Sequence, residues 1–182
     1  MKKIMTFAVM ALVLLAFLAG CGTKYEEGTL NGNVYENPVA GVRFTIPSSM
    51  TVVSPESIGV TGDDTVSIEF AAETQLGDNV ALMVEKLPNS LISMDTYVDA
   101  LVEGIEAGYS SDLTVTNIER DETVTYGGIT FEKFMYTAEA YGVEMQQIYL
   151  LKKVDNRMMS FTFTLLDPAV YDECVKGFEA IG

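Results

Sequence analysis

Residues 143–166 read VEMQQIYLLKKVDNRMMSFTFTLL, and this stretch decides the fold. Met159, Phe161, Phe163 and Leu165 alternate with Ser160, Thr162 and Thr164, the two-residue period of a strand with one buried face. Asp155-Asn156 supplies a tight turn, and Val143–Val154 before it is the antiparallel partner. Working back, Gly142 turns the chain, and Ile129 and Phe131 open another strand after the Gly127-Gly128 turn. Phe134 and Tyr136 continue with the opposite parity, which predicts a bulge near Glu132-Lys133. Leu113–Glu119 and Glu122–Tyr126 are two further extended pieces. The result is a meander of antiparallel sheet.

Earlier in the chain, Val42, Phe44 and Ile46 alternate with Arg43 and Thr45 after a turn at Asn37-Pro38 and Gly41, and Pro47 stops the strand. Residues 65–71 present Val66, Ile68 and Phe70 on one side and Ser67 and Glu69 on the other. They are joined through Gly77-Asp78-Asn79 to the more continuously apolar 80–87, which predicts a hairpin. Two helices are expected. Ser93 caps Met94–Tyr109, whose Tyr97, Val98, Leu101, Val102, Ile105 and Tyr109 form one apolar stripe opposite Asp95, Asp99, Glu103 and Glu106. Asp167 and Pro168 start the second, with Val170, Tyr171, Cys174, Val175 and Phe178 on its apolar side. The expected fold class is therefore α+β, an antiparallel sheet sandwiched by two main helices.

The amino-terminal residues carry a different message. Lys2 and Lys3 precede the apolar stretch Ile4–Leu18, too short for a comfortable bilayer span and typical of a secretory signal. Leu18-Ala19-Gly20-Cys21 follows at once, and it resembles the lipobox of bacterial lipoproteins. That resemblance implies cleavage after Gly20, a diacylglyceryl group on the Cys21 sulfur and a fatty acyl group on the new amino terminus. Several acyl chains together hold a protein at a bilayer where one alone does not. The division that follows is a signal peptide over 1–20, a lipidated terminus and flexible tether over 21–33, and one α+β domain over 34–182. Gly22–Asn33 (GTKYEEGTLNGN) has no hydrophobic period, and its Glu26-Glu27 is repelled by anionic headgroups, so a domain standing off the membrane is expected.

The strand and helix order, with YENPVAGVRFTIP at residues 35–47 and Gly128-Ile129-x-Phe131, resembles the PsbP/Mog1/DcrB-like group of α-β-α sandwich domains. The resemblance covers Asn33 to Gly182 and implies a generic binding or scaffold role; it brings no catalytic residue with it.

Chemistry is bounded mainly by what is missing. The chain has no histidine, which removes Ser-His-Asp and Cys-His catalysis and most zinc and copper sites. Acids outnumber bases 26 to 11, and without Lys2 and Lys3 the net charge moves from −15 to −17. Outside the leader Lys152-Lys153 is the only basic pair, so nucleic acid is not an expected partner. Cys174 reads as a small core residue. The expectation is an extracytoplasmic, membrane-anchored lipoprotein that is not an enzyme, needs no cofactor beyond its acyl groups and engages another envelope component. The alternatives are a small-ligand receptor lined by Tyr126, Tyr136, Tyr141 or Tyr149, and a calcium site at the acidic turns of Asp63, Asp64 and Asp78. A hydrolase working through paired carboxylates ranks behind both.

Overall fold

The computed structural model describes residues 25–59, 62–107, 113–140 and 142–182. The segments expected as a signal peptide and lipobox, together with Tyr109 and Tyr141, lie outside them. Among the described residues eleven strands build two antiparallel sheets. The larger has seven strands: β4 (Thr51–Val53), β5 (Val66–Glu73), β6 (Asn79–Lys86), β7 (Leu113–Tyr126), β8 (Ile129–Ala140), β9 (Val143–Val154) and β10 (Arg157–Leu165). Their spatial order is β4-β5-β6-β10-β9-β8-β7. The smaller sheet is β1 (Thr29–Asn31), β2 (Val34–Asn37), β3 (Val42–Thr45) and β11 (Phe178–Ala180), in that order.

The stretch 143–166 behaves as its period demands. Arg157 pairs with Val154 and Leu165 with Gln146 in continuous register, and β10 pairs β6 on its other side. One face of the large sheet contributes Phe70, Val80, Leu82, Val84, Phe131, Ile148, Leu150, Met159, Phe161 and Phe163 to a buried cluster, which the small sheet closes with Tyr35, Val42, Phe44 and Phe178. Phe161 is its hub. Its ring lies 4.9 Å from Phe178, 5.5 Å from Phe44, 6.0 Å from Phe131 and 6.2 Å from Phe70, in edge-to-face or tilted geometry. The opposite face is covered by helix α1 (Met94–Ala107) over Leu87, Phe134, Leu151 and Met158. Ser93 Oγ accepts the Thr96 amide at 3.1 Å, the cap expected from the sequence. On the exposed flank Arg120 of β7 pairs with Asp99 of α1 at 2.7 Å.

The expected α-β-α layering is corrected here: this is a sheet-on-sheet sandwich with one helix on its outer face. The closing helix, α2 (Ala169–Cys174), has only six residues; it packs Tyr171 and Cys174 into the edge of the inter-sheet core and does not form a second helical layer. A 3-10 turn over Val175–Gly177 ends it, and Phe178 turns extended (φ −76°, ψ 140°) to pair with Phe44. Gly177 allows this, because a Cβ there would sit 2.2 Å from the Thr45 carbonyl oxygen. Helical spacing of the apolar residues through Phe178 did not reveal the switch from helix to strand. The bulge expected near Glu132-Lys133 is not in β8, which keeps continuous register with β9 through both residues. Phe131 faces the small sheet while Phe134 faces α1, so opposite parities serve two cores. β7 carries two irregularities, one between Thr116 and Glu119, where Asn117 has φ 51°, and one between Glu119 and Glu122, opposite the Lys133–Met135 step of β8.

Phe161→Ala removes the ring that joins the sheets and is expected to cost about 3–5 kcal/mol, with Phe161→Leu costing less because it keeps most of the buried volume. Urea denaturation of the two variants checks the difference.

Candidate functional site

From Tyr25 onward, the run expected as a tether up to Asn33 is held to the domain. Residues Thr29–Asn31 pair with Val34–Glu36 as the edge of the small sheet, and the segment before them is bound to the domain. The acceptor is Glu69. Between Ile68, opposite Met83, and Phe70, opposite Leu82, the register of β5 slips by one, and Glu69 is the extra residue. Ile68 and Phe70 thereby end on opposite faces, and the Glu69 carboxylate turns toward the small sheet.

Three donors meet it there. Tyr25 Oη donates to Oε1, the Gly28 amide donates to Oε2 at 2.8 Å, and Tyr35 Oη donates to Oε2 at 2.5 Å. Behind them Asn37, only 1% exposed, donates through Nδ2 to the Glu26 carbonyl at 3.0 Å, Tyr25 Oη at 3.1 Å and Tyr35 Oη at 3.3 Å. Its Oδ1 accepts the Ala40 amide at 3.0 Å, which closes the turn before β3. Burial raises the pKa of both tyrosines, and their hydrogen bonds to the Glu69 carboxylate raise it further, so both remain protonated donors. Gly28 is fixed by space: a Cβ there would lie 2.4 Å from the Tyr35 ring. The chain is thus gripped at Tyr25, with Gly22–Lys24 as the only three residues between it and Cys21.

Beside the grip lies a polar hollow of about 330 Å³ lined by Tyr25, Glu27, Asp63, Asp64, Thr65, Ser67 and Arg157. The Arg157 guanidinium stands 5.8 Å from the Tyr25 ring centre.

The residues singled out from the sequence fall in separate places. Asp63 lies in that hollow, but its Oδ1 accepts the amides of Thr65 and Val66 and the Thr65 hydroxyl, the geometry of a turn cap; the Thr65 hydroxyl leads in holding its pKa down. Asp64 lies beside it. Asp78 is 1% exposed and far from both in chemical role. Its Oδ1 accepts the amides of Leu166 and Asp167 at 2.8 Å each, and its Oδ2 accepts the Thr74 hydroxyl at 2.9 Å. Among the described residues no three Asp, Glu or Cys side chains converge as a metal site. Tyr126 packs with Tyr171 and Phe178 near the small sheet, whereas Tyr136 and Tyr149 stack beneath α1, so these tyrosines share no concavity. Cys174 is buried, and burial foremost, then the charges of Glu173 and Asp78, push its thiol up to about 12.

Sequence reasoning missed Glu69 because strict alternation puts it on the solvent side, and missed Tyr25 because it stands in a polar, glycine-rich run. The lone aromatic of that run, spaced from Gly28 and Asn37, was the available signal.

No family model matches the sequence, and no curated protein does. Among solved structures, cyanobacterial PsbP (CyanoP) from Synechocystis sp. PCC 6803 is similar over 87% of this chain and 98% of its own, with a TM-score of 0.56 at 10% identity. The fold is PsbP-like. A protein from Bacteroides thetaiotaomicron VPI-5482 is similar over 84% of this chain and 50% of its own, with a TM-score of 0.47 at 13% identity.

Two outcomes follow for the PsbP-like domain. Gly28→Ala, which forces Tyr35 and the segment apart, and Asn37→Ala should each raise the rate of tryptic cleavage between Lys24 and Tyr25 about tenfold, the effect of ~1.4 kcal/mol on local opening. Mass spectrometry of timed digests reads this. For Asp78, burial works to raise the pKa, but the Asp167 amide, the Thr74 hydroxyl and the Leu166 amide outweigh it and the net direction is down. Asp78→Asn should therefore cost about 1.5–3 kcal/mol near pH 7. A depressed carboxyl stabilises fully above its unfolded pKa of about 3.9 and loses that contribution as pH falls through its lower folded value, so variant and wild type should converge in acid. Denaturation curves from neutral to strongly acidic pH test the convergence.

Proposed function

We propose that the protein is an extracytoplasmic lipoprotein, acylated on Cys21 and held at the cell membrane, whose PsbP-like domain binds another envelope component and catalyses no reaction. One observation carries this reading: Leu18-Ala19-Gly20-Cys21 closes an apolar stretch of fifteen residues preceded by two lysines. The grip on Tyr25 supports it, because a fold that seizes the chain four residues after Cys21 is suited to transmit an anchor's position to the whole domain. The absence of histidine and the inert setting of Cys174 support a binding role over a catalytic one. A small-ligand receptor is the second reading. It is favoured by an apolar cavity of about 130 Å³ between α1 and the sheet, where Met83, Tyr97, Leu101, Tyr149 and Met158 meet.

Growth of an expressing strain with radiolabelled palmitate tests the anchor. The wild-type protein should carry label and sediment with membranes, and Cys21→Ser should lose the label and accumulate as uncleaved precursor. Label retained in Cys21→Ser, or absent from wild type, contradicts the reading. Native mass spectrometry of the protein from its own membranes separates binding of a small molecule from binding of another protein.

A further inference from the structure

The helix-covered face of the large sheet holds one acid among apolar side chains. Alternation along β6 puts Met83 and Glu85 on the side of α1, and Glu85 stands opposite Val66 of β5 and Met158 of β10. Tyr97 and Leu101, one turn apart on α1, meet them at the cavity of about 130 Å³ that Tyr149 of β9 also lines. Glu85 is the only charged residue of that lining. Lys86, Lys152 and Arg157 alternate to the other face of the sheet. Lys153 shares the face beyond Met158, but its Nζ is tied to the Ser90 and Ile92 carbonyls at 2.6 Å each. Among the described residues the Glu85 carboxylate has one hydrogen-bond donor, Tyr97 Oη at 2.8 Å, and no ion pair. Burial foremost raises the pKa of Tyr97 and of Tyr149, so both hydroxyls stay neutral beside it.

A single negative charge among tyrosine rings, thioethers and aliphatic carbon is the chemistry that recognises an alkylated ammonium. Ring faces and polarisable sulfur attract methyl groups that carry part of a positive charge, and the carboxylate supplies the counter-charge. A primary ammonium would bring N–H donors for which the wall has few acceptors: Tyr97 Oη is engaged with Glu85, and Ser160 Oγ pairs with Thr162 Oγ1 at 3.1 Å. A quaternary nitrogen brings none. Size agrees, since a cavity of roughly 150 Å³ admits a benzene-sized guest. A neighbouring hollow of about 300 Å³ shares Glu85, Tyr97 and Leu101, and gives the remaining substituent of the nitrogen a way out. Glu85 is again its one charged residue, so nothing in its lining meets the phosphate of a lipid headgroup. We propose that this cavity binds the quaternary ammonium head of a free small molecule, with its methyl groups against Tyr97, Tyr149, Met83 and Met158 and its charge against Glu85. The inference rests on the small-ligand reading, to which it gives a chemical class, and does not depend on acylation of Cys21.

The test uses the full chain purified in a sugar-based detergent, with carbon-labelled methionine methyl groups followed by NMR. Choline should shift the Met83 and Met158 methyl resonances. It should bind about tenfold more tightly than tert-butyl alcohol, a neutral group of similar shape, and than methylammonium or phosphocholine. Glu85→Gln should bring choline down to about the affinity of the alcohol; if that variant does not fold, the ranking in the unaltered protein decides alone. Equal binding of the alcohol overturns the ammonium site and leaves a small apolar ligand in its place. Equal binding of methylammonium overturns the preference for a quaternary nitrogen, and equal binding of phosphocholine overturns the free solute. No shift at Met83 or Met158 with any of these probes overturns the site and the small-ligand reading together.

Discussion

A half-buried carboxylate has to be satisfied, and in this protein that requirement ties three separate parts of the chain together. Glu69 is turned inward by a one-residue slip in β5 and meets donors from the small sheet (Tyr35) and from the segment after Cys21 (Tyr25, Gly28). A carboxylate accepting several hydrogen bonds in a partly dry setting is held more firmly than one in water, and loss of a donor leaves the charge undercompensated. The fully buried Asn37 adds a second layer by engaging both tyrosine hydroxyls and the Glu26 carbonyl. The amino-terminal run is therefore part of the fold from Tyr25 onward.

The aromatic core gives this arrangement a rigid base. Phe44, Phe70, Phe131 and Phe178 surround Phe161, so the two sheets cannot slide without breaking ring contacts on several strands. The β7–β8 turn adds a polar tie at the edge, where the Gly127 carbonyl accepts the Ala180 amide at 2.7 Å. Asp78 does the same at another corner by capping the amides that lead into α2. Position information at Tyr25 is thereby shared by the whole domain.

Much of this was legible in the residues, and the failures have physical causes. The meander from Ile129 to Leu165, the β5–β6 hairpin and the Ser93 cap all follow from period, turn chemistry and capping, which are local. The layering was not legible, because one apolar stripe is compatible with a helix that covers a sheet and with a short helix that yields to a strand at Gly177. Phe131 and Phe134 show a related limit: a change of parity can mark a bulge or a strand buried on two faces, and only the partners on each side decide. Glu69 was hidden for the converse reason, since its slip leaves no mark in the alternation of Val66, Ile68 and Phe70. The candidate site thus depended on non-local pairing, whereas the proposed acylation at Cys21 rests on the sequence alone.

A PsbP-like sandwich that grips its own chain beside a proposed acylation site differs from a bead on a string. Its chain is held by hydrogen bonds within the fold from Tyr25 onward. Hydrogen exchange at the Gly28 amide in the intact protein tests this most directly, because that N–H donates to Glu69 only while the grip is closed. Protection at Gly28 comparable with that of the β2 and β3 amides is the predicted result. Exchange at the rate of an unstructured peptide, with the core still protected, would contradict it.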